Sequence, residues 1–166
     1  MDIRAWPGSG LYPEFNAEKF APFLKKHGIY HLCMGKGLGV RPSEDFLYTG
    51  QRVDYGKIIA WEPFQNDLKR LAKGIEKFSV CLMCKEKDPA FCHRAILVSW
   101  QFNLLFPSIP VFHILEDGTK ITQANIDEIL LKRPAGSWLF KDDYEKERSK
   151  AYLKRGKRIA WKKPSP

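Results

Sequence analysis

Apolar and polar positions along the chain recur with two periods, and the switches between them mark the elements. Asp2 to Trp6 is short, largely apolar and closed by Pro7-Gly8-Ser9-Gly10, the pattern of a strand running into a loop. Asn16 is placed to cap a helix whose Phe20, Phe23 and Leu24 recur at helical spacing, with Gly28 as its stop. Ile29 to Cys33 reads as a second strand. Met34 to Gln51 carries Gly35, Gly37, Gly39, Pro42 and Gly50; a connection of that length is expected to be functional, and ligand contacts are expected in it. Val53 to Trp61 predicts a short helix. Pro63 fits the first turn of the next, whose face carries Phe64, Leu68 and Leu71 and whose end falls near Gly74.

Phe78 to Cys84 is a continuous apolar run of strand length, as in a central parallel strand buried on both faces. It breaks at Lys85-Glu86-Lys87-Asp88-Pro89. A helix apolar almost all round starts near Cys92 and ends at Pro107. Ile109 to Leu115 predicts another strand, Glu116-Asp117-Gly118 a turn, and Thr122 the cap of a helix running through Leu131. Beyond Gly136, Ser137-Trp138-Leu139-Phe140 leads into a charged helix from about Asp143. Strands alternating with helices predict an α/β fold, a mostly parallel open sheet with flanking helices in a Rossmann-like three-layer arrangement. Residues 1–136 are the expected single α/β domain and residues 137–166 a C-terminal appendage with a basic tail.

Composition narrows the class. A chain of 166 residues suits one domain, and 44% apolar residues with five Trp exclude a disordered one. The most apolar stretch, Ala95 to Phe106, is broken by Ser99, Gln101 and Asn103 and falls short of the roughly 20 residues a membrane crossing needs. Met1 to Pro7 has neither a basic nor an apolar leader region, so a cytoplasmic location is expected. Cys33, Cys81, Cys84 and Cys92 are too few and too clustered for a disulfide scaffold, which leaves free thiols, a metal or redox chemistry. The net charge of +9 is uneven: the segment from Lys150 holds seven cations and no acid, leaving 21 cations against 19 acids before it, a net +2. Lys154, Arg155, Lys157, Arg158, Lys162 and Lys163, interleaved with Tyr152 and Trp161, suit phosphate-backbone contact, and equally a solvated end that aids solubility.

The stretch Cys84 to Arg94 carries the densest chemistry. A predicted strand empties there into a polar loop that ends at a helix N-terminus, the ligand crevice of open parallel sheets and a place where anions bind. Cys92 at that position is a candidate thiolate nucleophile, Cys84 an alternative, with His93 and Glu86 handling protons. Arg4, Arg41, Arg94 and His113 are candidates for binding an anionic substrate. Other readings stay open. Cys81 reads as a small core residue. Zinc held by Cys84, Cys92 and His93, with His113, is set against a single Cys-x-x-Cys on a strand with no second pair, and no metal is assigned. Cys84 with Cys92 makes an alternative redox pair, and a structural account pairs Arg94 with Glu86 and leaves Cys92 packed.

Cys84-Lys-Glu86-Lys-Asp-Pro-Ala-Phe-Cys92-His93-Arg94 resembles the signature of the domain of unknown function 488 family, Cys-x-Glu-x5-Cys-His-Arg after a central strand. Asp2-Ile3-Arg4 with Pro7 and Ser9, Phe15-Asn16, Leu38-Gly39, and His113-Ile114 with Gly118 match in order, so the resemblance covers roughly Asp2 to Lys132. The resemblance implies a fold and a site, and no reaction. Family members carry a strand and helix ahead of the Asp-Val-Arg strand, so an N-terminal sheet edge covered by an oligomer or larger assembly is expected here. The leading expectation is an enzyme or former enzyme acting on a nucleotide, nucleic acid or other phosphorylated substrate, with no cofactor assigned. The alternative is a non-catalytic module that binds nucleic acid or protein through its basic tail.

Overall fold

The computed structural model describes residues 1–164. Helices dominate: α1 Ala17–Lys26, the single turn α2 Gly35–Leu38, α3 Tyr55–Ala60, α4 Glu62–Ile75, a π-helical segment Arg94–Ser99 continuing into α5 Trp100–Leu105, α6 Gln123–Leu131 and α7 Lys141–Ile159. Among the described residues strands pair only as two antiparallel ribbons, β1 Tyr48–Thr49 with β2 Arg52–Val53 and β3 Phe112–Ile114 with β4 Lys120–Thr122.

The helices form where local chemistry directs them. Asp54 caps α3 by accepting the backbone N–H of Gly56 at 2.9 Å. Thr122 and Asn125 make a reciprocal capping box at the start of α6, the Thr122 hydroxyl accepting the Asn125 N–H at 3.2 Å. Phe64, Leu68 and Leu71 form the buried stripe of α4, as their spacing predicts. On α7, Tyr152 stacks on Trp100 with ring centroids 4.7 Å apart, and Gly156 lets the helix close on Tyr55, whose ring stands 2.5 Å from where a Cβ would be.

The expected parallel open sheet and its Rossmann-like three-layer arrangement are not formed. Asp2 does lie between Cys33 and Met83, parallel to both, but each pairing is a single bridge. The chain itself ends the ladder. The Arg4 N–H turns back onto the Asp2 carboxylate at 3.0 Å, and Met34 passes directly into α2. Phe78 to Cys84 is not a central strand buried on both faces: Phe78 is 57% exposed and Cys81 is exposed too. Phe112–Ile114 turns through Glu116–Gly118, with Gly118 at φ +82°, and pairs with Lys120–Thr122 instead of joining the other segments.

Met1–Arg4 is nevertheless held on both sides. Asp2 donates to the Leu32 carbonyl and accepts from Met34, both at 2.8 Å, while Met83 donates to Met1 at 2.8 Å and Ile3 to Met83 at 3.2 Å. The Asp2 side chain, 1% exposed, accepts from Arg4 Nε at 2.9 Å and Nη2 at 2.7 Å. The same guanidinium donates to the Phe15 carbonyl at 2.8 Å and so ties the loop before α1 to this segment. Glycines in the Met34–Gln51 connection serve this packing: a Cβ on Gly35 would sit 2.0 Å from the Arg4 carbonyl oxygen, and one on Gly39 2.9 Å from Ala5 Cα.

Gly35→Ala should therefore cost about 3 kcal/mol, since backbone stands where the methyl must go. Asp2→Asn should also cost about 3 kcal/mol at neutral pH by leaving Arg4 without its partner. Burial alone pushes the Asp2 carboxyl up, but hydrogen bonds and charge from Arg4 hold it below its ordinary 3.8. Its contribution is full above that ordinary value and is lost as pH falls through the lower folded-state value. Urea titrations of both variants and the parent at pH 7 and pH 3 check this, with the Asp2→Asn gap expected to narrow at the acid end.

Candidate functional site

The loop after Met83 and the start of the π-helical segment bring four predicted residues together. Cys84 Sγ lies 2.9 Å from Glu86 Oε2 and 3.3 Å from His93 Nδ1, and Cys92 Sγ lies 3.4 Å from the same Glu86 oxygen. Asp88 turns the chain back by accepting the Ala90 N–H at 2.8 Å, which opens the short 3₁₀ turn Pro89–Phe91 and delivers Cys92 to the cluster. His93 Nε2 stands 3.3 Å from the Ile3 carbonyl; an oxygen there accepts only, so Nε2 carries a proton and Nδ1 faces Cys84. Cys92 is fully buried, and its sulfur accepts the Arg94 N–H at 3.4 Å.

The groups shift one another. Its contact with the Cys92 thiol, then burial, pushes the Cys84 thiol well above its ordinary value, against an opposing pull from His93. Burial pushes the Glu86 carboxyl up, but hydrogen bonds from both thiols and a backbone N–H, with charge from His93, bring it below the ordinary range. Tyr55, buried behind the cluster, has its phenol pushed up by burial and by Cys92, Glu86 and Cys84. No spacing in the sequence singled out Tyr55. The cluster can share protons between sulfur, imidazole and carboxylate, and its donor atoms, all within 4.8 Å of one another, are of metal-ligating type.

The arginines do not join it. Arg4 is engaged by Asp2 and the Phe15 carbonyl, and Arg41 lies over the Trp161 ring at 5.3 Å. Arg94 does not pair with Glu86 either. It lines a separate cleft of about 270 Å³ with His113, Lys120, Ser99 and Cys81, above an apolar floor that includes Leu71, Ile75, Leu82 and Val111. Cys81, expected in the core, is exposed at this cleft. Among the described residues neither Arg94 nor Lys120 makes a side-chain hydrogen bond or ion pair, and no carboxylate lines the cleft.

A buried polar chain fixes His113. Gln123 donates its amide N–H to the Tyr152 hydroxyl at 2.5 Å, so its Oε1, 2.8 Å from His113 Nε2, is the acceptor of that pair. Tyr152 donates in turn to Asp127 at 2.5 Å, and Arg148 stands 3.1 Å from the same carboxylate oxygen. Burial, opposed by the Gln123 hydrogen bond and joined by the Arg94 charge, holds the His113 pKa below its ordinary 6.5. His113 is therefore neutral at neutral pH, with Nδ1 as a hydrogen-bond acceptor.

The basic C-terminal residues lie on and after α7. Arg155 donates to the Ala90 carbonyl at 3.1 Å and lies over Phe91, the Lys162 backbone forms an antiparallel bridge with that of Arg52, and Lys163 pairs with Asp45. Lys154, Lys157 and Arg158 are exposed without such partners among the described residues.

A family model described as domain of unknown function DUF488 matches residues 1–101. The chain belongs to the DUF488 family. The match takes in the whole Cys84–Arg94 signature and ends before His113, Lys120 and α7, so the DUF488 segment supplies the four-residue cluster and one wall of the cleft. No curated protein and no solved structure matches the chain. Among the described residues no helix is long and apolar enough to cross a membrane.

Exposure orders the thiols: iodoacetamide applied to the native chain at pH 7.5 should modify Cys33 and Cys81 first and Cys84 and Cys92 last. Peptide mass spectrometry over a time course checks the order, and early modification of Cys92 would show that its surroundings open in solution.

Proposed function

We propose that this DUF488 protein binds a small phosphorylated molecule in the cleft lined by Arg94, His113 and Lys120. The observation that carries the reading is Arg94, a guanidinium that among the described residues has no side-chain hydrogen-bond partner, in a cleft lined by no described carboxylate. Such a fork matches the oxygens of a phosphate, and Lys120 adds a second positive charge. Neutral His113 supports a further feature of the ligand, a hydroxyl or amino group that donates to Nδ1. The apolar floor suits a ring or other carbon body, so a nucleotide or sugar phosphate fits the set better than inorganic phosphate. The cleft lining does not include Cys84, Glu86, Cys92 or His93, which favours binding over attack by these thiols.

A second reading rests on α7. Lys154, Lys157 and Arg158 recur at helical spacing on an exposed face, and such a row can track a nucleic-acid backbone.

Thermal-shift and calorimetric titrations with nucleoside monophosphates, sugar phosphates and their dephosphorylated counterparts distinguish the readings. We expect binding of a phosphorylated probe that weakens at least ten-fold in Arg94→Ala and several-fold in Lys120→Ala, with the dephosphorylated compound inert. If no phosphorylated probe binds, or if Arg94→Ala leaves affinity unchanged, the cleft reading falls. Salt-dependent binding of a single-stranded oligonucleotide that is abolished in the triple variant Lys154→Glu, Lys157→Glu, Arg158→Glu would favour the α7 reading.

A further inference from the structure

We propose that Cys84, Glu86, Cys92 and His93 hold one zinc ion that fastens the loop after Met83 to the start of the π-helical segment. The inference stands apart from ligand binding in the cleft and rests on the arrangement of four donor atoms. Zinc takes sulfur at about 2.3 Å and nitrogen or oxygen at about 2.0–2.2 Å, which puts the corners of a tetrahedral site about 3.3–3.8 Å apart. Here the Cys84–Glu86, Cys84–His93 and Cys92–Glu86 atoms are 2.9, 3.3 and 3.4 Å apart. The remaining separations stay within 4.8 Å, so small side-chain rotations centre an ion among all four.

The supports around these atoms are those of a ligand set. His93 turns Nδ1 inward, toward Cys84, because Nε2 is committed to the Ile3 carbonyl at 3.3 Å, the arrangement in which a backbone oxygen fixes the ring of a metal-bound histidine. The Cys92 sulfur accepts the Arg94 backbone N–H at 3.4 Å, which suits a thiolate carrying charge. Cys92 and His93 are buried, Cys84 is half-buried, and Glu86 closes the site from the solvent side. Two sulfurs, one imidazole and one carboxylate select a borderline-soft divalent ion over magnesium or calcium. Four protein ligands leave no open position, so the ion is structural. It also accounts for a loop in which Lys85, Glu86, Lys87 and Asp88 follow one another with little apolar burial to order them.

The second donor cluster, Asp2, His31 and Cys33, carries no such proposal, because Arg4 already occupies the Asp2 carboxylate.

The test uses the full chain purified from zinc-supplemented cells. We expect one zinc per chain by plasma mass spectrometry, a fall in melting temperature on chelation, and recovery with zinc. Cobalt loaded in its place should give the strong visible bands of a tetrahedral ion and a near-ultraviolet thiolate-to-cobalt transition. Cys84→Ser and Cys92→Ser should abolish the zinc and the thiolate transition, while Cys33→Ser and Cys81→Ser keep both. Since Cys92 is a core residue, Glu86→Gln supplies a gentler reading: circular dichroism as in the parent, and zinc held at least ten-fold more weakly. A zinc-loaded parent should alkylate more slowly at Cys84 than the chelated one. The proposal is overturned if the parent binds neither zinc nor cobalt, if zinc survives in both Cys84→Ser and Cys92→Ser, or if the native chain contains a Cys84–Cys92 disulfide. Phosphorylated-probe binding depends on Arg94 and Lys120, so the two readings fail independently.

Discussion

The backbone of Met1 to Ile3 is the piece against which the rest of the molecule is placed. Its peptide groups hydrogen-bond to Leu32 and Met34 on one side and to Met83 on the other. The one carbonyl left over, that of Ile3, receives His93. Backbone polar groups buried in a core need partners, so this short stretch fixes where three distant parts of the chain must lie. The Asp2 carboxylate extends the effect by gathering Arg4, which in turn holds the loop before α1. The Gly35 and Gly39 backbones fit against Arg4 and Ala5 because no side chain intervenes.

The helices were legible because their instructions are local. Asn16 with Gly28, Pro63 with Gly74, and Thr122 with Leu131 bracket helices close to their observed ends. The sheet was not legible, because strand pairing depends on partners far away in sequence. Apolar runs at Phe78–Cys84 and Ile109–Leu115 match buried parallel strands in pattern, yet one meets Asp2 at a single bridge and the other folds back on Lys120–Thr122. The Gly-rich connection looked like a ligand loop, and two of its glycines answer to backbone contact instead. At the site, Cys84, Glu86, Cys92 and His93 were legible together because one turn at Asp88 folds ten consecutive residues onto themselves. Arg4 and Arg41 were misplaced for the opposite reason: Asp2 lies next to Arg4 yet its burial cannot be read locally, and Trp161 is 120 positions beyond Arg41.

Residues 92 to 94 divide their labour. Cys92 and His93 belong to the cluster that closes on Ile3, and Arg94, the next residue, belongs to the cleft on the far side. The cleft has its own support in the chain from His113 through Gln123 and Tyr152 to Asp127, which reaches α6 and α7 beyond the family-matched residues. A DUF488 core thus presents one wall, and the C-terminal helices fix the protonation of the other.

The wide turn at Arg94–Ser99 frees this division from exact chain length. A π-helical stretch accommodates what amounts to one extra residue relative to α geometry. Removing a single amino acid there would restore ordinary α bonding, and because the wide turn already absorbs the extra residue, the segments on either side keep their facing. Trp100 would stay docked on Tyr152, and Cys92 and His93 would still face Cys84 and Glu86. The same deletion inside α5 would instead turn everything upstream by about 100° around the helix axis, the angle of one α-helical residue, and carry an unaltered signature away from its partners.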